Sequence, residues 1–164
     1  MGLQLPGELA SLLSMLGFTW PEADETKLLD MGQAWLRFAG TLGGPVGDAH
    51  GYAQLVWTAA QAEGVTAFQE AWSGAEAPRA NLEDARTAAQ LMGAGLIVCA
   101  AIVLYLKINT IVQLVILAVE IAQAIATAPA TFGASLAEIP IFKEITGFIV
   151  DQLIDLALNA ILND

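Results

Sequence analysis

Leu91-Met92-Gly93-Ala94-Gly95-Leu96-Ile97-Val98-Cys99-Ala100-Ala101-Ile102-Val103-Leu104-Tyr105-Leu106 is a run of 16 uncharged, almost wholly apolar residues that ends at Lys107. Outward from it, no proline intervenes between Pro78 and Pro129, and Asn81 followed by Glu83 and Asp84 supplies an N-cap and first-turn acids. The reading is one helix from Leu82 to Ala128, about 70 Å long if straight. A compact domain of this size is only about 40 Å across. The spacing therefore predicts either a rod or a bend, at Gly93/Gly95 or near Asn109-Thr110. A membrane span needs about 20 apolar residues, so the run lies between a span and a buried core helix. Past Lys107 the stretch Ile108 to Leu114 adds three polar groups, and the acid-rich flanks carry no topology signal. A central helix that is apolar all round and hidden in a core is the first reading. The alternative is a membrane-active, channel-forming protein that uses residues 91–128.

Charge divides the 164 residues into three zones. Residues 1–86 carry 11 acids and 4 bases, residues 87–137 only Lys107 and Glu120, and residues 138–164 carry 5 acids and 1 base. The middle zone is expected to be covered from water. A net charge of −11 with six scattered cations rejects nucleic acid as partner, because phosphates need a basic stripe. An apolar fraction of 56% with 14% charged residues likewise rejects disorder.

The flanks read as helices too. Pro6-Gly7-Glu8 leads into a short opening helix, Leu9 to Leu16, stopped by Gly17. Thr19-Trp20-Pro21-Glu22 has capping-box spacing and predicts a second helix from there. In that helix Leu28, Met31, Trp35, Phe38 and Leu42 are spaced 3, 4, 3, 4, which predicts a coiled-coil seam awaiting a partner helix. Gly43-Gly44-Pro45-Val46-Gly47-Asp48-Ala49-His50-Gly51 predicts an interruption or kink. Helix resumes from Tyr52 to Trp57, turns at Thr58–Gln61, and continues with a stripe of Val65, Phe68 and Trp72 up to Ser73-Gly74. Ala75 to Ala80 is a connector. Pro140 precedes an amphipathic helix, Ile141 to Leu162.

Chemistry finds little footing. Asp24/Glu25 and Asp151/Asp155 read as helix-start and solvated charges rather than as acid–base pairs. His50, in a glycine-rich loop, has neither a nucleophile nor a second histidine to share a metal. Gly93-x-Gly95 lacks the third glycine and the strand of a dinucleotide site, and reads as close helix packing. The lone Cys99 acts as a small hydrophobe. No catalytic, metal or cofactor residues are assigned, and no enzyme activity is expected. The opening residues lack the basic region and cleavage site of a secretory signal.

Several stretches carry a family resemblance: Leu3-x-Leu5-Pro6-Gly7-Glu8-Leu9, Gly17-Phe18-Thr19-Trp20-Pro21-Glu22-Ala23-Asp24-Glu25, Trp35-x-x-Phe38, Trp57, Phe68-x-x-x-Trp72 and the helix from Lys107 to Ile125. Together they resemble the N-terminal WxG-like domain of actinobacterial polymorphic toxins, and the chain is similar to the N-terminal domain of the mycobacterial channel-forming necrotising toxin. The resemblance implies an all-α, elongated helical bundle built on a WxG-type hairpin with long apolar central helices. It implies a non-catalytic targeting domain for type VII secretion, synthesised in the cytoplasm and exported without a cleaved signal peptide. Small WxG-type helical proteins, a second copy of the chain, the secretion machinery and a downstream toxin domain are the implied partners. Here Trp57-Thr58-Ala59 lacks the motif's glycine, while Trp72-Ser73-Gly74 has the letters one helix later. Tyr52 and Tyr105 are followed four residues on by Val56 and Asn109, so the family's Tyr-x-x-x-Asp/Glu export signal is absent within these residues and falls to a partner. The expected partner-binding residues are Trp35, Phe38, Trp57, Phe68 and Trp72. The chain is read as one domain, 1–164, in which residues 1–80 form a hairpin and residues 81–164 a long-helix segment; a plain structural oligomer is the remaining alternative.

Overall fold

The computed structural model describes residues 2–162, which form five α-helices and one 3₁₀ turn, with no strand among them. The order is α1 (Gly7–Met15), α2 (Glu25–Ala59), α3 (Glu63–Ser73), α4 (Pro78–Thr127), the 3₁₀ turn Ala134–Ala137, and α5 (Glu138–Leu162). Two compact units emerge, one of residues 28–98 and the other of residues up to Lys27 with those from Cys99 onward. The division passes through α2 and α4 themselves.

Local chemistry sets the helix ends. Gly17 (φ +86°) closes α1 in the left-handed region. The Phe18 N–H then donates to the Leu13 carbonyl at 3.2 Å and the Gly17 N–H to Ser14 at 3.0 Å, the paired bonds of a Schellman stop. Helix α2 starts later than Thr19-Trp20-Pro21-Glu22 suggests: Asp24 Oδ1 accepts the Lys27 N–H at 3.1 Å and is its cap. Helix α4 starts at Pro78, ahead of Asn81, because proline's missing N–H is no loss at a first helical position.

The expected interruption at Gly43–Gly51 is absent: helix α2 continues through Gly43-Gly44-Pro45 to Ala59, and α4 is likewise one helix through Gly93, Gly95 and Asn109-Thr110. Packing explains α2. Its buried residues Gly32, Ala39, Val46 and Ala53 recur every seven positions, and the burial of that stripe outweighs the local propensity of the glycines and Pro45. The stripe also corrects the predicted seam. Leu28 and Leu42 are half-buried beside it, but Met31, Trp35 and Phe38 point away from it and are exposed. Small side chains, not large ones, mark this contact, because they let α4 approach closely.

A buried stripe on α4 repeats with the same period. Ala89, Gly93, Ala100, Val103, Lys107, Thr110, Leu114, Leu117 and Ala124 are buried at alternating spacings of three and four or their sums. Helix α5 buries Thr146, Val150 and Ala157. The 3₁₀ turn is tied back to α4 by the Ser135 hydroxyl, which donates to the Ala124 carbonyl at 2.7 Å.

The expected covering of the apolar middle zone is not what the fold provides. Leu91, Val98, Tyr105, Val112, Ile116 and Val119 are exposed on α4. The helix is apolar on every face, while the described residues cover only one stripe of it.

Candidate functional site

In the unit of residues 28–98, three of the five expected binding residues turn toward one another. The glycine-rich segment is helical, so His50 is not a loop residue; it lies half-buried on α2. The Trp72 indole N–H donates to His50 Nδ1 at 3.2 Å. The His50 and Trp57 rings are 6.1 Å apart, Trp57 and Phe68 5.8 Å, and Phe68 and Trp72 5.9 Å, which closes the circle. These are ordinary separations for tilted aromatic pairs. The cluster pins α3 against α2, and its last member begins Trp72-Ser73-Gly74, the turn that leads toward α4. Trp57, Phe68 and Trp72 therefore have intramolecular partners.

Trp35 and Phe38 do not join them. Their rings meet edge to face at 6.0 Å, with 39% and 49% of their surfaces exposed. With Met31 and Ala34 they line a shallow groove of about 350 Å³. An open face built only from an aromatic pair, a thioether and an alanine contains no titratable group. It can bind apolar surface and carry out no chemistry.

The other unit holds a feature that the sequence did not single out. Lys107, 2% exposed, donates to Glu25 Oε2 at 2.8 Å and to the Ala23 carbonyl at 2.6 Å. The Trp20 ring centroid lies 5.7 Å from its ammonium. The Leu3 N–H donates to Glu25 Oε1, and Gly2 is buried against the same carboxylate, where a Cβ would come within 2.6 Å of Glu25 Oε2. Burial pushes the Glu25 carboxyl up, but the Lys107 ammonium and then the Leu3 N–H outweigh it and hold the group below its ordinary value of 4.5. Asp24 is also held low, chiefly by the Lys27 backbone N–H that it caps. The non-helical Trp20-Pro21-Glu22-Ala23 stretch is thus a cradle for one buried lysine. A single cation in a long apolar run was the signal in the sequence, and its partner was hidden by 82 residues of separation.

The same unit carries a trough of about 670 Å³ lined by Met15 and Phe18 from the end of α1 and by Ile141, Lys143, Phe148 and Asp151 from α5. Between α4 and the 3₁₀ turn, Phe132 adopts φ +51° with its side chain fully exposed. Both features are unfavourable for an aromatic residue in water.

A family model described as "WXG100 like domain" matches residues 4–147. No curated protein and no solved structure matches the chain.

Proposed function

Since the chain belongs to the WXG100-like domain family, we propose that it is the targeting and partner-binding module of a type VII-secreted toxin. Members of the family are helical, non-enzymatic, associated with type VII secretion, and pair with other WXG proteins or with themselves. On this reading the module precedes a toxic domain, is made in the cytoplasm, and leaves without a cleaved signal peptide. Its partner is a small WxG-type helical hairpin or a second copy. The exposed Trp35/Phe38 groove on α2 carries the reading, since apolar patches left open on a soluble domain mark association sites. Trp57, Phe68 and Trp72 contribute by keeping α3 in place beneath the turn. Light scattering tests it: the chain should run above 17.2 kDa, alone or with small WxG-type proteins encoded nearby. A monomer that ignores those proteins overturns the proposal.

A second reading has its own support. The stretches Glu63–Thr127 and Ala134–Leu162 are long and apolar enough to cross a membrane, and only 22% and 17% of their most apolar windows lie inside the fold. A core helix would be mostly covered. Phe132, fully exposed in the connection between the two, suits the leading edge of an inserting hairpin. If α4 and α5 enter bilayers, the parent chain releases dye from liposomes and Ile116→Asp, on the exposed face of α4, abolishes release without lowering the melting temperature. Absence of release by the parent chain ends this reading.

A further inference from the structure

We propose that the pocket between α2 and the start of α4 lined by Gly43, Gly47, His50, Arg79, Glu83 and Arg86 is a carboxylate-binding site. Its cavity is about 160 Å³. Glycine in a helix interior costs about 1 kcal/mol relative to alanine. Gly47 repays that cost in no visible packing, because a Cβ there would meet nothing within 4 Å, and its φ is not positive. The missing side chain leaves open space. At Gly43 a Cβ would lie 3.3 Å from Arg86 Nη1, so the guanidinium lies close over the bare backbone of α2 there.

The fold supplies few acceptors around this space, and the exposed Arg86 is left to solvent. Arg79 Nη1 sits 3.4 Å from Glu83 Oε1, but Arg79 Nε is buried with no hydrogen-bond partner. Arg86 has no ion-pair partner among the described residues. That shortage is notable in a chain with 17 acids and 6 bases, where acceptors are abundant. His50 accepts the Trp72 N–H on Nδ1, so its own proton belongs on Nε2, a further donor. Arg79 and Glu83 lie in the first turns of α4, where the helix dipole adds partial positive charge. Two guanidinium groups against one Glu leave a single net positive charge, matched to a monoanion. The planar fork of arginine fits a carboxylate, and the apolar walls Val46 and Leu82 fit the methylene stem of an acidic side chain or a short carboxylic acid.

Indole N–H resonances of Trp57 and Trp72 report on the site by NMR during titration with sodium acetate against sodium chloride at constant ionic strength. The expected result is saturable shifts with acetate alone, weakened about tenfold by Arg86→Gln and partly restored by Arg86→Lys, which keeps the charge without the fork. A capped peptide with one Glu, compared with its Gln variant, separates the sources. Selective binding of the Glu peptide assigns the carboxylate to a polypeptide, whereas exclusion of the peptide with acetate still bound assigns it to a free small acid; both uphold the site. Tighter binding of inorganic phosphate than acetate overturns the carboxylate assignment. Shifts that follow chloride equally, or that persist unchanged in Arg86→Gln with its helicity intact, overturn the site. The partner-binding reading has no bearing on these outcomes.

Discussion

Gly32 and Gly93 face each other so closely that a Cβ placed on either would lie 2.8 Å from the other's carbonyl oxygen. The obstruction is backbone on both sides, so neither helix can yield by rotating a side chain. Where α2 meets α4, the two glycines set the helix separation.

Gly32→Ala should therefore destabilise the chain by about 1–3 kcal/mol, the usual cost of overpacking. Gly44→Ala, with nothing within 4 Å of the new methyl, should be neutral or stabilising by up to about 1 kcal/mol. Urea denaturation of the two variants side by side checks the contrast, and equal stabilities would show that the helices do not touch there.

The buried ion pair predicts an asymmetry between single and double changes. Lys107→Met leaves the Glu25 carboxylate enclosed without its counter-charge and should cost about 3–5 kcal/mol. Lys107→Met combined with Glu25→Leu should recover some of that loss, because no bare charge remains. Chemical denaturation of the single and double variants decides it.

Stability should also fall in acid for a stated reason. Glu25 titrates below its ordinary value of 4.5 in the folded chain, so its stabilising contribution is complete above that value and is lost as pH drops through the lower folded pKa. The melting temperature of the parent should decline below about pH 4.5. Asp24 titrates in the same direction, so the informative quantity is the difference from Glu25→Gln, which should shrink as the pH is lowered.

Aromatic substitutions should separate into two behaviours. Trp72→Phe keeps a ring but removes the donor to His50 and should cost about 0.5–1.5 kcal/mol. Trp35→Ser and Phe38→Ser should leave the melting temperature nearly unchanged while reducing self-association or partner binding. Differential scanning fluorimetry with light scattering on the same samples distinguishes the two sets.

The helices themselves were legible because their stop and start signals are local: Pro6, Gly17, Gly74 and Pro129 act within a turn of where they stand. The faces were less legible. Trp35 and Phe38 have the size and spacing of seam residues, but size says nothing of which side of α2 a second helix can approach most closely. Gly43-Gly44-Pro45 misleads for a related reason, since a propensity-based break is overruled by a packing stripe that only the folded chain displays. The Lys107 cradle lay furthest out of reach. Its components, Leu3, Trp20, Ala23 and Glu25, read separately as a coil and a helix start, and no local rule joins them to a residue in the middle of another helix.

Synthesis gives that cradle a temporal dimension. A ribosome delivers Leu3, Trp20 and Glu25 long before Lys107, and the tunnel then delays the lysine further. Throughout that interval the Glu25 carboxylate has the Leu3 N–H but lacks its counter-charge, so the cradle cannot close as the chain emerges. Docking of the segment must therefore be a late event, completed after most of α4 has been made, and a holdase acting on the nascent chain would find these first residues still available.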